Sequence, residues 1–350
     1  MLEYKKDMRS VEKQFIIHAG THKTASTYIQ ERLWKNRKIL QGYDVFLLKP
    51  KRKKTGQFME FAHFLKEQNF SAIESELGRV SDKNQHVVVS AEQFTQPLLN
   101  NACIDGLLKR LEKLGYRLRI VIFLRDQPDY INSLYVQEVR RFYHSLDLPS
   151  FIKRCRVHRS HWFDYEKMFS HLLTNASLDA KFLPYGSAFG DPFLNLMNSL
   201  DLNLPEEVDW IPGTPGKSND QPGIKGVWLA LQVCRRMQGI GVNLKLLENQ
   251  SKYIRKYSIP RGWSGNRFFG MRPKKVQKIR EFYENGNDRF ARRAWGANSW
   301  SDVYQNLRPQ AFSVLDESLM TEGELKEMES LAEQVFWDIK VANPLAFPPL

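Results

Sequence analysis

The chain has 350 residues, 52 of them Lys or Arg against 39 Asp or Glu, a formal net charge of +13. That length carries one large α/β domain with insertions or two modest ones, and the positive excess suits an anionic partner: nucleic acid, an acidic membrane surface, a nucleotide or an acidic glycan. No run of about 18 apolar residues offers a membrane span, and the charged start MLEYKKDMRSVEKQ lacks the apolar core of a signal peptide. Cys103, Cys155 and Cys234 show neither metal nor disulfide spacing, so a reducing, cytoplasmic setting is expected.

Taken in chain order, the first element is a strand over 15–19, where Phe15, Ile16 and Ile17 form a short buried run. A loop of small and polar residues, Gly20 to Thr27, follows at once. Tyr28, Ile29, Leu33 and Trp34 then begin a helical pattern expected over 27–40. Strand, small-residue loop and helix together make a phosphate-holding arrangement, because the first N–H groups of a helix point at an anion and its dipole favours negative charge. Lys23 adds a full positive charge; Thr24, Ser26 and Thr27 add hydroxyl donors. This is not a Walker A loop, because Gly20 stands three residues before Lys23 and no glycine stands beside the lysine.

A second strand is expected over 44–48. The basic run Lys49-Pro50-Lys51-Arg52-Lys53-Lys54 follows and reads as a solvated loop. No RNP signature, zinc-finger spacing or helix-turn-helix pattern accompanies it, so specific nucleic-acid recognition is not expected. Helices are expected over 57–68 and 70–78, a strand over 86–90, a helix over 103–114, a strand over 118–124, a helix over 129–142, a strand over 181–184 and a helix over 191–200. Val87-Val88-Val89 and Ile120 to Leu124 look buried on both faces, the mark of a parallel sheet between helices. From about residue 201 the character changes. Ile211 to Gly226 is rich in Gly and Pro, and helical patterns follow over 223–238, 273–295 and 322–340. The last opens on the capping-box pair Thr321 and Glu324, with Leu325, Met328, Leu331, Val335 and Ile339 as an apolar stripe. The expected fold is α/β: a P-loop-like three-layer sandwich with a central, mainly parallel sheet, helices on both faces and a helical C-terminal cover. It is read as a single domain over 1–350, with 1–200 as the α/β core and 201–350 as the helical extension.

Ligands of open parallel sheets sit beyond the carboxyl ends of the strands. The 86–90 strand ends in Ser90-Ala91-Glu92 and the 118–124 strand in Arg125-Asp126. Ser133 follows Arg125 by eight residues, one to two turns into a helix that Pro128 opens. An arginine fork and a hydroxyl so spaced suit a second phosphate; the plainer alternative is an ion pair of Arg125 with Asp126 or Asp129. The strand IVIFLRD also imitates a Walker B strand, whose terminal acid holds magnesium.

The segment His22-Lys23-Thr24-Ala25-Ser26-Thr27-Tyr28 resembles the 5′-phosphosulfate loop, usually K-x-G-[ST]-[ST], of sulfotransferases that use 3′-phosphoadenosine-5′-phosphosulfate (PAPS). Arg125 with Ser133 resembles that family's 3′-phosphate motif. THKTAST is especially similar to bacterial members that sulfate carbohydrates or polysaccharides, and 285–295, NGNDRFARRAW, is similar to an Asn-rich stretch near their C-termini. Ala25 stands where many members have glycine. The resemblance implies PAPS as donor, its bisphosphate PAP as product, no metal, and a hydroxyl of a glycan, anionic ones included, as acceptor. It implies that Lys23 lies near the bridging oxygen, that residues 24–27 hold the 5′-phosphate, and that Arg125 and Ser133 hold the 3′-phosphate. Glu92 is the candidate general base, with His18 and His22 as competitors. Arg261-Gly262-Trp263-Ser264-Gly265 faintly resembles a late loop over the 3′-phosphate, with Trp263 or Trp162 as candidate stacking surfaces. Two other functions fit the residues: a P-loop kinase using ATP and magnesium, and a non-catalytic binder of anionic polymers.

Overall fold

The computed structural model describes residues 13–51, 53–80, 86–159, 162–202, 204–205, 207–214, 221–247 and 250–348. Five strands, β1 (Lys13–Gly20), β2 (Val45–Leu47), β3 (His86–Ser90), β4 (Tyr116–Arg125) and β5 (Asp179–Tyr185), form one sheet in the order β2-β3-β1-β4-β5. Every neighbouring pair is parallel, with Ile17 opposite Val89 on one side and Ile120 on the other. Phe15, Ile16, Ile17, Val87, Val88 and Val89 are fully buried, as the continuous apolar runs require of strands covered on both faces. After β1 the chain goes to β2 at one edge; after β4 it goes to β5 at the other. The carboxyl ends of β1 and β4 therefore flank the point where strand order reverses.

The helices in chain order are α1 (Ser26–Lys35), α2 (Arg37–Gly42), α3 (Met59–Lys66), α4 (Phe70–Leu77), α5 (Asn101–Lys113), α6 (Gln127–Arg140) and α7 (Leu148–His158). They continue with α8 (Tyr165–Thr174), α9 (Pro192–Asn198), α10 (Gly223–Gly239), α11 (Ser251–Ser258), α12 (Pro273–Trp295), α13 (Trp300–Tyr304) and α14 (Glu322–Ala342). The architecture is α/β with an all-parallel central sheet, consistent with three layers. Among the described residues no helix is long and apolar enough to cross a membrane.

The chain divides into two units. One holds 1–125, 164–218 and 286–307; the other holds 126–163, 219–285 and 308–350. The first contains the sheet. Its core includes Ile16, Ile29, Leu33, Val88, Phe123 and Phe193, each contributing on the order of 1.5–3 kcal/mol by leaving water. The helix expected over 27–40 is two helices, and Asn36 is the cause. Its buried amide donates to Arg32 O (2.8 Å) and Ile211 O (2.9 Å) and accepts from Ile211 N (2.7 Å). Ending α1 there lets Asn36 hold the 207–214 segment through a side chain that mimics a strand's backbone. The segment is clamped again where Glu31 accepts from Thr214, an interaction that pulls the Glu31 carboxyl down to about 2.

The second unit is helical. In it α10 packs on α6, α11 and α14. Thr321 and Glu324 form the expected capping box, and Met328, Leu331, Val335 and Ile339 are buried, with Leu325 at the margin. Sequence periodicity had no counterpart for α7, α8 and α11. In α7, residues Leu148, Phe151, Ile152 and Cys155 are buried at i, i+3, i+4 and i+7, a stripe of only two turns in a helix otherwise rich in Lys, Arg and His.

Candidate active site at the carboxyl end of the sheet

β1 delivers Gly20 to the start of a tight loop, and the loop delivers α1 at Ser26. Two non-glycine residues take left-handed backbone angles to make the turn, Lys23 (φ 72°) and Ala25 (φ 61°). A left-handed alanine costs roughly 1 kcal/mol, because its Cβ crowds the following carbonyl. A side chain on Gly20 would displace its neighbours: a Cβ would lie 2.5 Å from Ser26 Oγ and 2.8 Å from Thr24 Oγ1. Thr24 Oγ1 donates to Thr21 O (2.7 Å), and Thr21 Oγ1 donates to Phe123 O (3.1 Å), which ties the loop to β4. Thr27 is exposed.

The opening of α1 is unsatisfied. Its N-cap is Ala25, which has no side-chain oxygen to accept a first-turn N–H. Ser26 is 7% exposed, and its buried Oγ has no hydrogen-bond partner. Leaving a hydroxyl in that state costs about 1–3 kcal/mol. A buried hydroxyl left open at a helix N-terminus, on the positive end of its dipole, is placed to suit an anion. Arg125 reaches the same loop from the end of β4: its Nη1 donates to Lys23 O at 3.2 Å, and its backbone O accepts from Tyr165 Oη at 2.7 Å.

From the other neighbouring strand, β3 runs into a 3₁₀ turn, Glu92–Thr95. Ala91 N donates to His18 O (3.2 Å) and Thr95 Oγ1 to Gly20 O (2.6 Å), so the turn is fastened to the end of β1. Glu92 Oε1 lies 3.0 Å from His22 Nδ1. Burial pushes the Glu92 carboxyl up. The His22 hydrogen bond, the charges of His22 and Lys23 and a Lys23 backbone N–H outweigh it and set the carboxyl below its ordinary value. Glu92 is therefore an ionised carboxylate at neutral pH. His18, by contrast, is fully buried, contacts Ser90 Oγ through Nδ1 (2.7 Å) and is held down to about 3, mainly by desolvation. It is neutral and sealed from any acceptor. Beside this turn a cavity of about 340 Å³ opens, lined by Met59, His63, Gln93 and Gln96 among others.

Thus Lys23, Thr24, Ala25, Ser26, Glu92 and Arg125 gather at the ends of β1, β3 and β4, with His22 of the loop against Glu92. Ser133 belongs to the second unit, buried on α6. So does Asp126, the acid of the Walker B-like strand end; Arg280 binds its carboxylate through both Nε (2.9 Å) and Nη2 (2.7 Å). Arg261 and Trp263 also lie in that unit, on either side of the left-handed Gly262, and Trp263 opens a 3₁₀ turn. The 286–295 stretch is helical, and its Trp295 Nε1 donates to Phe182 O (2.7 Å), a docking contact on β5. Of the basic run, Lys53 pairs with Glu60, and Arg52 lies outside the described residues. Among the described residues no group of three His, Cys, Asp or Glu side chains is placed to hold a metal ion. The tie of Thr95 to Gly20 had no sequence signal, since a threonine hydroxyl bonding a distant carbonyl leaves no pattern. Comparison with known proteins found no match among family models, curated proteins or solved structures.

Proposed function

We propose that the chain is a P-loop-like sulfotransferase that moves a sulfuryl group from PAPS to a hydroxyl of a carbohydrate or polysaccharide. The observation that carries this reading is the open N-terminus of α1, where the buried Ser26 hydroxyl faces no protein partner within a loop that bears Lys23 and that Arg125 reaches from the end of β4. Such a seat fits a 5′-phosphate held by the N–H groups of residues 24–27 with the Ser26 and Thr27 hydroxyls. Arg125 supplies the planar donors suited to the 3′-phosphate, and Ser133 enters by its spacing from Arg125 in the sequence alone. The donor, when bound, supplies an activated sulfuryl group whose leaving oxygen carries the developing charge.

The chain's own residues do the rest. Glu92, ionised and anchored by His22, accepts the proton of the acceptor hydroxyl as its oxygen forms a bond to sulfur. Lys23 neutralises the charge that collects on the 5′-phosphate as the S–O bond breaks. The cavity beside the Glu92 turn is of a size to take one or two sugar units.

Calorimetric titration with 3′,5′-adenosine bisphosphate, without magnesium and beside ATP and 5′-AMP, tests the donor assignment. Low-micromolar binding of the bisphosphate is expected. Lys23→Ala and Arg125→Ala should each weaken it on the order of 10- to 100-fold, the loss of a charge-assisted contact. Tighter binding of ATP with magnesium would instead favour a kinase, and no nucleotide binding a non-catalytic protein.

A further inference from the structure

The outer edge of β2 carries a second concentration of positive charge, apart from the phosphate loop. Arg37 opens α2, Lys49 stands two residues beyond β2, and Arg79 lies just past α4. All three line one cavity of about 120 Å³, with Gln41 and the β2 residues Val45, Phe46 and Leu47. At roughly 30 Å³ per water that is about four waters, room for one tetrahedral oxyanion.

The cations are fixed in place. Trp34 holds the Arg37 guanidinium 3.8 Å and Lys49 Nζ 5.1 Å from its ring centroid. Arg37 Nη1 donates to Trp34 O (2.8 Å), and Arg79 Nη1 donates to Lys49 O (2.9 Å). Among the described residues one carboxylate, Glu76, pairs with the trio, through Arg79. Lys49 Nζ donates to Pro50 O (3.2 Å) and Lys53 O (3.1 Å), so three cations less one carboxylate leave two formal positive charges set against carbonyl dipoles alone. Burial, with Arg79 and Arg37 nearby, holds the Lys49 ammonium below its ordinary value. Like charges held together by packing are the arrangement that an entering anion relieves.

We infer that the β2-edge cavity is an oxyanion subsite, in which Arg37, Lys49 and Arg79 take a sulfate or phosphate ester carried on a sugar. The ester lies among the three cations, and the neutral amide of Gln41 serves the hydroxyls next to it. The oxyanion site stands on this geometry and is independent of the donor reading; that a sugar carries the ester rests on the carbohydrate acceptor proposed above.

Calorimetry with sucrose octasulfate and with inositol hexakisphosphate at low ionic strength tests it and separates the two esters. Each probe is titrated into the full chain and into Arg37→Gln, Lys49→Gln, Lys38→Gln and Lys23→Ala. Lys38 is an exposed lysine of the same helix as Arg37 and serves as the diffuse-charge control. The expected result is at least fivefold weaker binding of the preferred probe in Arg37→Gln and in Lys49→Gln, and less than twofold change in the other two. Equal losses in Lys38→Gln, or a loss confined to Lys23→Ala, would overturn the inference, as would binding that neither Arg37→Gln nor Lys49→Gln weakens. Thermal melts guard against misfolding: both cavity variants should melt within a few degrees of the parent without probe and lose the probe-induced rise in Tm. Failure of the bisphosphate titration with success here leaves the subsite intact and removes only the donor assignment.

Discussion

Two helices of the sheet-bearing unit begin in opposite ways. α5 opens on Asn100, whose backbone is extended and whose side-chain oxygen accepts the N–H of Ala102 at 3.0 Å. α1 opens on Ala25, left-handed and without a side-chain acceptor, with the Ser26 hydroxyl buried and unpartnered behind it. Both helices carry basic residues in their last turns, Arg110 and Lys113 in α5, Arg32 and Lys35 in α1, which suits the negative end of the dipole. The difference is confined to the N-terminus. α5 satisfies its own entrance and is finished as a structural element. α1 leaves the buried Ser26 hydroxyl unpartnered where β1 ends, an entrance of the kind that suits an anion.

If the entrance of α1 is where chemistry happens, the largest effect belongs to the carboxylate beside it. Glu92→Gln should lower kcat by about 10²–10⁴-fold, nearer the low end because a depressed carboxylate is a weak base, while affinity for the bisphosphate changes less than threefold. Steady-state kinetics beside calorimetry checks both. The pH profile follows from the direction of the shift. Glu92 is held below the ordinary carboxylate range, so its ionised form, and the stability of its His22 contact, are present above the unfolded value. Both are lost as pH falls through the lower folded value. Activity should therefore hold level from neutrality down to about pH 5 as far as Glu92 is concerned, and an acid limb should appear only below the ordinary carboxylate range. An acid limb that Glu92→Gln leaves in place and His22→Asn removes would move the base to the histidine.

Gly20→Ala breaks the α1 entrance without touching a charge. The new methyl would meet Ser26 Oγ and Thr24 Oγ1 at distances real Cβ atoms do not tolerate, so those hydroxyls must turn away. The expected cost is about 1–3 kcal/mol of stability, the range for overpacking a tight site, with bisphosphate affinity falling in step. Denaturant melts and calorimetry on one variant read both. A stable Gly20→Ala protein with full affinity would mean the hydroxyls play no part in holding an anion.

How much of this was legible beforehand follows from distance along the chain. The strand-loop-helix at 15–34 was readable because apolar run, small loop and helical stripe are consecutive. The five strands were readable because Val87–Val89 and Ile120–Leu124 are unbroken. The split of α1 from α2 was not, because it depends on Asn36 meeting Ile211, 175 residues away. The basic cavity was not either. Lys49 had been read as the start of a solvated run, yet it is Arg79, 30 residues on, that binds its carbonyl. Folding against the edge of β2 makes the cluster; no local spacing encodes it. The sheet rule puts Glu92 at a strand end, but its pairing with His22 depends on how the loop after β1 folds back toward β3, 70 residues on, and leaves no local pattern.

The opposite entrance gives a smaller, cleaner effect. Asn100→Ala removes the α5 cap and should cost about 1 kcal/mol, Asn100→Gly only a few tenths. Neither should alter kinetics or ligand binding. Chemical denaturation at matched slope measures the loss. A kinetic defect in Asn100→Ala would show that the two entrances are coupled and that α5 is not merely structural.

The smallest effect sits at the alanine that opens α1. At φ 61° glycine has no Cβ to crowd the carbonyl. Ala25→Gly relieves that strain, but it also frees the unfolded chain, which offsets part of the gain. The net change in stability should be a rise of no more than about 1 kcal/mol. The informative quantity is affinity. If the left-handed turn at Ala25 is what holds the α1 donors in register, relaxing it with glycine should tighten bisphosphate binding or leave it unchanged. Weaker binding in a more stable Ala25→Gly protein would mean that the alanine methyl itself packs against the ligand, and that this loop seats its anion differently from one built on glycine.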